Sequence, residues 1–209
     1  PALLSTATLK SIARRVFTSC GLEPRDIKAR ITSAPIIHGG PQVRRLSWPK
    51  SHIVGPEEKR AAIRVLTREE KHGGALIYGG PEEAAYCKSF ADYLGGGYAQ
   101  AVNSGTNAVY VALRSLDLDP GGEIIVPPIT DPGGCMPVPL INCLPIPADS
   151  ARNSYNVGPE QIQAALSDST SAIIIAHIGG QPVDMDPILE IARSRDIPVI
   201  EDCAQAHGA

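Results

Sequence analysis

Aromatic side chains are scarce in this sequence, since Phe, Trp and Tyr together make up 4% of its 209 residues. Its interior must therefore be aliphatic, and the 20 glycines and 19 prolines indicate many tight turns. Both features favour a layered α/β fold over a β-sandwich. Long apolar runs are also missing, and none approaches the roughly 20 residues that a membrane-spanning helix needs. We therefore expect a protein without a membrane partner.

Paired cysteines and metal-binding patterns are lacking as well. The five cysteines are odd in number, form no CxxC and follow no apolar stretch typical of a signal peptide. We interpret them as reduced, buried thiols of a cytoplasmic protein. The five histidines show no HxxxH or similar spacing, so the sequence predicts no zinc site.

Basic residues are concentrated at the start of the chain, although the net charge is −3. Residues 1–33 contain six basic and two acidic side chains, a pattern compatible with binding nucleic acid or anionic lipid, or with an organelle transit segment. They lack a dense basic cluster with interleaved aromatics, so we expect no nucleic-acid partner. The helical spacing of their apolar residues favours a short helix docked on this or a neighbouring subunit (Leu9, Ile12, Ala13, Val16 and Phe17).

A lead-in and two helices precede a regular alternation of strands and helices. Residues 34–56 are predicted to be extended, and helices are predicted from Pro56 onward and over 82–93. Strands are then predicted over 98–102, 123–126, 144–148, 172–176 and 197–200, with helices over 105–116, 159–166 and 184–195. This alternation predicts βαβ units and a mostly parallel sheet, with domain divisions at 1–33, 34–97 and 98–209.

Polar segments follow several of the predicted strands, at 103–107, 128–134 and 201–207, and His177 follows another. Ligands of parallel sheets bind beyond the carboxyl ends of the strands, so these segments are the candidate site. Ser104-Gly105-Thr106 opens a helix whose first N–H groups lack internal partners and suit a phosphate. Helix capping by Ser104 or Thr106 is the simpler explanation of this tripeptide taken alone.

Two acids, Glu201 and Asp202, come directly after an apolar run. Successive side chains of a strand point to opposite sides, so one of the two should face the ligand cleft. Such a carboxylate can act as a base, bind a metal or pair with a protonated heterocycle, and the lack of clustered acids makes metal the weakest choice. A phosphate turn and an acid on separate strands suit a phosphorylated heteroaromatic cofactor, whose ring nitrogen the acid would keep protonated.

Five ordered stretches resemble the DegT/DnrJ/EryC1/StrS family of pyridoxal-phosphate-dependent aminotransferases, which act on keto-sugars and inososes. They are IEDCAQAHGA at 200–209, NSGTNA at 103–108, GEIIVP at 122–127, AHIGGQP at 176–182 and DMD at 184–186. HGGP at 38–41 with WP at 48–49 is similar to the start of the inosose-type members. The resemblance covers about residues 36–209. It implies the three-layer α/β fold of the aspartate-aminotransferase-like large domain, with a mostly parallel sheet, incomplete at its C-terminal end.

The resemblance implies contacts between this chain and pyridoxal 5′-phosphate. The backbone amides of Gly105 and Thr106 would hold the phosphate. Asp202 would pair with the pyridinium nitrogen, and Gln205 would hydrogen-bond the ring hydroxyl.

Two further residues are assigned to the cofactor site by position. Asp131 stands where the family usually has an aromatic side chain that stacks on the ring, so it departs from the pattern. His177 is placed near the cofactor, with a packing role as an equal alternative. His207 we interpret as structural.

The Schiff-base lysine of the family has no match in this sequence. In the family it follows the Asp–Gln motif on a later strand, whereas all six lysines here precede residue 89. We therefore expect it beyond residue 209, in a larger protein. The resemblance then implies the N-terminal part of an aminotransferase that moves an amino group from glutamate or glutamine to a keto-sugar or inosose. Such enzymes serve amino-sugar, aminocyclitol or other secondary-metabolite biosynthesis.

Other interpretations of the sequence remain open. The chain fits a non-catalytic, truncated family member that acts as a binding partner. It also fits a pyridoxal-phosphate-dependent sugar dehydratase of the same family, in which histidine replaces the lysine. A nucleotide-binding Rossmann domain is disfavoured because GxGxxG is absent. By analogy, we expect a homodimer or a complementing C-terminal polypeptide as partner.

Overall fold

The computed structural model describes residues 54–74, 76 and 78–209, together with isolated positions at 38, 40, 46 and 47. The predicted helix within residues 1–33 and most of the predicted lead-in lie outside the described residues. The chain divides into two compact units, residues 1–75 and 76–209. The three-part domain division stays a prediction.

Helix α1 (Pro56–His72) belongs to the first unit and begins at the predicted proline. Proline suits this position because its fixed φ matches a helix and its missing N–H would have no partner there. Glu58 Oε2 accepts a hydrogen bond from the Gly55 N–H at 2.7 Å. Hydrogen bonds from its own N–H and from that of Gly55 lower the pKa of the Glu58 carboxyl below its ordinary value. The helix ends with Lys71 and His72, where the helix dipole favours positive charge.

A four-stranded parallel sheet organises the second unit. Its strands are β1 (Glu123–Val126), β2 (Leu144–Pro147), β3 (Thr170–Ala176) and β4 (Val199–Asp202). Their order in the sheet is β2-β1-β3-β4, and every neighbouring pair is parallel. The chain passes from β1 outward to β2 and then returns past β1 to β3. This reversal creates a crevice between the carboxyl ends of β1 and β3, the usual place for a ligand in such sheets.

Helices cover both faces of this sheet. They are α3 (Gly105–Ser115), α4 (Pro137–Leu140), α5 (Pro159–Ala165) and α6 (Met185–Ser194), whereas α2 (Pro81–Tyr93), which precedes them in the chain, buries none of its residues. One face buries aliphatic side chains of α3, α4 and the sheet (Val109, Leu113, Val138, Ile124 and Ile174). The opposite face buries those of α5, α6 and the sheet (Ile162, Ile188, Ile125, Ile173 and Ile175). These two aliphatic cores confirm the predicted three-layer α/β fold.

Two strand predictions were wrong. Residues 98–102 are irregular, because a strand needs hydrogen bonds to a neighbour and none of the strands in the described residues pairs with them. The last strand lies at Val199–Asp202 instead of 197–200. The Pro198 carbonyl accepts from the Ile173 N–H at 3.0 Å and pairing continues to Asp202, so both acids belong to the strand. The other predicted elements of the second unit are confirmed to within two residues at their ends.

Helix α2 packs against the last residues of the chain. The Phe90 ring meets the His207 ring edge-on, with centroids 6.4 Å apart. The Tyr93 hydroxyl lies against Gly208 so closely that a Cβ there would overlap it. The ring contact with Phe90 favours a structural role for His207, which stays a prediction.

The four cysteines of the described residues are free thiols. Burial is confirmed only for Cys143, whereas Cys87, Cys135 and Cys203 are partly exposed. The reason is their location, because α2 buries none of its residues and the other two cysteines lie in loops. None of the helices in the described part of the chain is long and apolar enough to cross a membrane.

Candidate functional site

The N-terminus of α3 presents the backbone amides of Gly105 and Thr106. Ser104 caps the helix: its Oγ accepts from the Asn107 N–H at 3.2 Å, and its carbonyl accepts from the Ala108 N–H at 3.0 Å. The N–H groups of Gly105 and Thr106 have no acceptor among the described residues. A Cβ added at Gly105 would meet no atom within 4 Å, so the space there is open. Capping therefore leaves two amides for an anion, at the positive end of the helix dipole.

The loop after β1 fits closely against this helix terminus. Asp131 caps the short 3-10 turn Pro132–Gly134, because its Oδ1 accepts from the Gly133 N–H at 2.9 Å. A Cβ added at Gly133 would overlap Thr106 Oγ1 and lie 3.3 Å from Thr106 Cα. Glycine therefore allows the loop to approach α3. The Asp131 carboxylate turns back onto its own loop.

Asp202 offers one carboxylate oxygen at the carboxyl edge of the sheet. Its Oδ1 accepts from the Ala204 N–H at 3.0 Å, which anchors the side chain. Its Oδ2 lies 3.4 Å from the position that a Cβ on Gly134 would take. Within the described residues, no donor reaches this second oxygen. Asp202 thus lies next to the loop that packs on Thr106, while Glu201 points to the opposite face, as strand alternation predicts.

A left-handed glycine pair holds the side chain of Gln205. Gly179 and Gly180 have φ of 71° and 72°, values that glycine adopts without steric cost. The Gly179 N–H donates to Gln205 Oε1 at 2.7 Å. Because an N–H requires the oxygen as its acceptor, this bond fixes which way the carboxamide is turned. Gln205 Nε2 meets no acceptor in the described part of the chain and remains able to donate to a ligand oxygen.

Asp131, Asp202 and Gln205 line a small, open pocket at the carboxyl edge of the sheet. The lining comes from segments that follow β1, β3 and β4 (Thr130, Asp131, Ala176, His177, Ile178, Asp202, Ala204 and Gln205). Its volume is about 30 Å³, far below the roughly 300–1,000 Å³ of ordinary ligand pockets. The described residues around it therefore do not enclose a ligand-sized cavity. A wider groove of about 400 Å³ lies along α1 and contains none of the predicted site residues.

Comparison with known proteins identifies the family. The model of the DegT/DnrJ/EryC1/StrS aminotransferase family matches residues 57–209. The chain belongs to this family. The predicted resemblance is thereby confirmed over the second unit and most of α1.

Individual relatives agree with this assignment. The L-glutamine:scyllo-inosose aminotransferase of Streptomyces griseus is 32% identical over 179 residues, which cover 85% of this chain and 42% of that protein. The crystal structure of an aminotransferase from Psychrobacter cryohalolentis has a TM-score of 0.70 and 36% identity, covering 78% of this chain and 40% of that one. A GDP-4-keto-6-deoxymannose-3-dehydratase with a trapped PLP–glutamate geminal diamine also has a TM-score of 0.70, with 28% identity, covering 78% and 42%. The chain spans about two fifths of the length of the curated relatives that it matches over most of its own residues.

In this member of the DegT/DnrJ/EryC1/StrS family, His177 is 5% exposed and uses both ring nitrogens. The Val183 N–H donates to Nδ1 at 3.0 Å, which places the ring proton on Nε2. Nε2 then donates to Glu201 Oε2 at 3.0 Å. These bonds join the end of β3, the loop after it and β4, which favours a structural role. A contact between His177 and a cofactor stays a prediction.

A cluster of potential metal ligands lies on the same side as His177. Ligand atoms of His177, Glu201 and Cys203 are all within 4.8 Å of one another. A histidine that binds a metal normally donates its other ring N–H to an acceptor. Here Nδ1 accepts a hydrogen bond, so a metal on Nε2 would leave the ring without any N–H. The cluster is better described as a hydrogen-bonded His–Glu pair beside a thiol.

Cys203 lies beside the pocket, between Asp202 and Ala204. Burial raises the pKa of its thiol above the ordinary value, and the carboxylates of Glu201 and Asp202 raise it further. Because the thiolate is the reactive form, a raised pKa lowers the fraction of reactive Cys203 near neutral pH.

Asn156 is a buried polar residue beside the site that the sequence did not reveal. It is 4% exposed, and it hydrogen-bonds the backbone of the turn that carries Gly179 and Gly180. In the sequence it is an asparagine in the connection between the predicted strand at 144–148 and the predicted helix at 159–166. That position is typical of an exposed loop residue, so no sequence pattern marks its burial.

Proposed function

We propose that this chain forms the phosphate turn and the ring-nitrogen acid of a pyridoxal-phosphate-dependent aminotransferase. Its substrates would be a keto-sugar or inosose and an amino donor, glutamine or glutamate. The observation that carries the proposal is the set of available polar groups around the pocket and the adjoining helix terminus. They are the amides of Gly105 and Thr106, Asp202 Oδ2 and Gln205 Nε2.

The chemistry of these groups fits pyridoxal phosphate. Two amides at the positive end of α3 suit a phosphate dianion. The Asp202 carboxylate can hold a proton on a pyridine nitrogen, and Gln205 Nε2 can donate to a ring oxygen. When bound, the cofactor supplies an electron sink for bond breaking at the substrate carbon. This chain's residues would orient the ring and hold its charge.

The residue that attaches the cofactor is proposed to lie outside these 209 residues. Of the described lysines, Lys59 and Lys71 are on α1, and Lys88 on α2 pairs with Asp92 at 2.7 Å. None of these three lines the pocket. A further segment of the same protein, a second copy in a homodimer or a complementing polypeptide would supply the lysine and the other walls of the site.

A sugar dehydratase is the second candidate function. It is favoured by the similarity to GDP-4-keto-6-deoxymannose-3-dehydratase, whose TM-score equals that of the Psychrobacter aminotransferase. The same four groups would hold the cofactor in either enzyme, so they do not distinguish the two reactions.

The test is to supply the intact protein with pyridoxal phosphate, glutamine or glutamate, and an inosose or a nucleotide-linked keto-sugar. Mass spectrometry of the products then distinguishes the functions. An aminated product supports the aminotransferase, and loss of water from the sugar supports the dehydratase. An intact protein that binds neither pyridoxal phosphate nor pyridoxamine phosphate would contradict both.

A further inference from the structure

Asn156 clamps both ends of the turn that follows β3. Its Oδ1 accepts from the Ile178 N–H at 2.9 Å, and its Nδ2 donates to the Gln181 carbonyl at 2.9 Å. The Asn156 N–H itself donates to Ser154 Oγ at 3.0 Å, so the clamp has a fixed base. Both side-chain groups are therefore engaged at a position that is 4% exposed.

The clamped turn contains two glycines between the residues that Asn156 bonds. Between its ends lie Gly179 and Gly180, the residue type with the largest backbone freedom. The Gly179 N–H is the donor that fixes Gln205 Oε1 at 2.7 Å. Loss of the clamp would remove the acceptor of the partly buried Ile178 N–H and one donor to the carbonyl of the exposed Gln181, so the turn would lose the side-chain bonds that fix its two ends.

We propose that Asn156 is a positioning residue for the cofactor, acting through Gln205. It holds the glycine turn so that Gly179 keeps the Gln205 carboxamide in place, with Nε2 directed to the cofactor's ring oxygen. This inference rests on the proposed function. Asn156 is not among the residues that line the pocket, so its influence must pass through the turn.

A double-mutant cycle on the intact protein tests the link, with pyridoxamine 5′-phosphate as the probe. Asn156→Ala and Gln205→Ala are each expected to weaken binding about 3- to 10-fold, the effect of one lost hydrogen bond. The double variant should bind no more weakly than Gln205→Ala alone. Gln163→Ala, which removes an exposed carboxamide on α5, should leave binding unchanged. If Asn156→Ala weakens binding of pyridoxamine 5′-phosphate by the same factor in the wild type and in the Gln205→Ala variant, the proposal is overturned.

Hydrogen exchange gives a second readout that needs no cofactor. Asn156→Asp keeps an acceptor for the Ile178 N–H but places a carboxylate oxygen against the Gln181 carbonyl, so it serves if the alanine variant does not fold. The Gly179 amide should exchange faster in Asn156→Asp and in Gln205→Ala, while the amides of α6 stay protected. Unchanged exchange at Gly179 in Asn156→Asp would overturn the proposal. If the wild type binds no pyridoxamine phosphate, the proposed function fails, yet this exchange result still decides the Asn156–Gln205 link.

Discussion

Replacing Asp202 with asparagine changes one atom that faces the pocket. The new carboxamide would keep an oxygen for the Ala204 N–H, which Asp202 Oδ1 now accepts at 3.0 Å. Its nitrogen would then take the place of Oδ2, beside Gly134. Side-chain volume and the anchoring bond are preserved, so we expect Asp202→Asn to fold normally.

The expected loss follows from the hydrogen bond that Oδ2 would make. A hydrogen bond to a charged group contributes about 1.5–3 kcal/mol. An amide NH₂ cannot accept a proton from a pyridinium nitrogen, so this contribution is lost. Pyridoxamine 5′-phosphate should therefore bind about 10- to 150-fold more weakly to Asp202→Asn.

The matched control is Glu201→Gln, the adjacent acid in β4. Glu201 faces away from the pocket, its side chain is 44% exposed, and a glutamine oxygen can still accept from His177 Nε2. The intact protein is titrated with pyridoxamine 5′-phosphate in a calorimeter, and thermal melting verifies folding. The dissociation constant of Glu201→Gln should lie within about twofold of the wild-type value. Equal weakening by the two variants, or undiminished binding by Asp202→Asn, would refute the assignment of the ring acid.

Two further predictions concern packing and reactivity at the site. Gly133→Ala should lower the free energy of unfolding by about 1–3 kcal/mol in urea denaturation, because its Cβ would overlap Thr106 Oγ1. Gly105→Ala, whose Cβ meets nothing within 4 Å, should not lower it, and equal effects would contradict the described contact. Since burial and the two preceding carboxylates raise the pKa of Cys203, its thiolate fraction at pH 8 should be below that of a free cysteine, and iodoacetamide should alkylate it slowly. Asp202→Asn removes one negative charge, so the pKa of the Cys203 thiol should fall and its alkylation should accelerate. Peptide mass spectrometry measures the alkylation rate. An unchanged rate would count against the electrostatic cause.

Local patterns in the sequence predict most of the second unit because the inner strands β1 and β3 and the helices α3, α5 and α6 bury aliphatic side chains. The run of isoleucines in β3 and the proline that begins α5 are recognisable without knowledge of the fold. The segment 98–102 was misassigned because strand structure depends on a pairing partner, which composition does not reveal. The displacement of β4 has the same cause, since pairing to β3 extends the strand through Glu201 and Asp202.

The candidate site was predictable where chemistry follows directly from chain position. Strand alternation separates Asp202 from Glu201, and the first amides of α3 lack partners by helix geometry. Asn156 was not predictable because its partners lie 22 and 25 residues away, in a turn whose conformation the sequence does not specify. The buried bonds of His177 also depend on tertiary contacts, with Val183 and Glu201.

The most direct test of the account is a crystal structure of the intact protein with pyridoxamine 5′-phosphate. We predict that the phosphate accepts hydrogen bonds from the N–H groups of Gly105 and Thr106, with the ring nitrogen against Asp202 Oδ2. A cofactor bound with its phosphate away from the α3 terminus, or with its ring nitrogen remote from Asp202, would contradict the central claim.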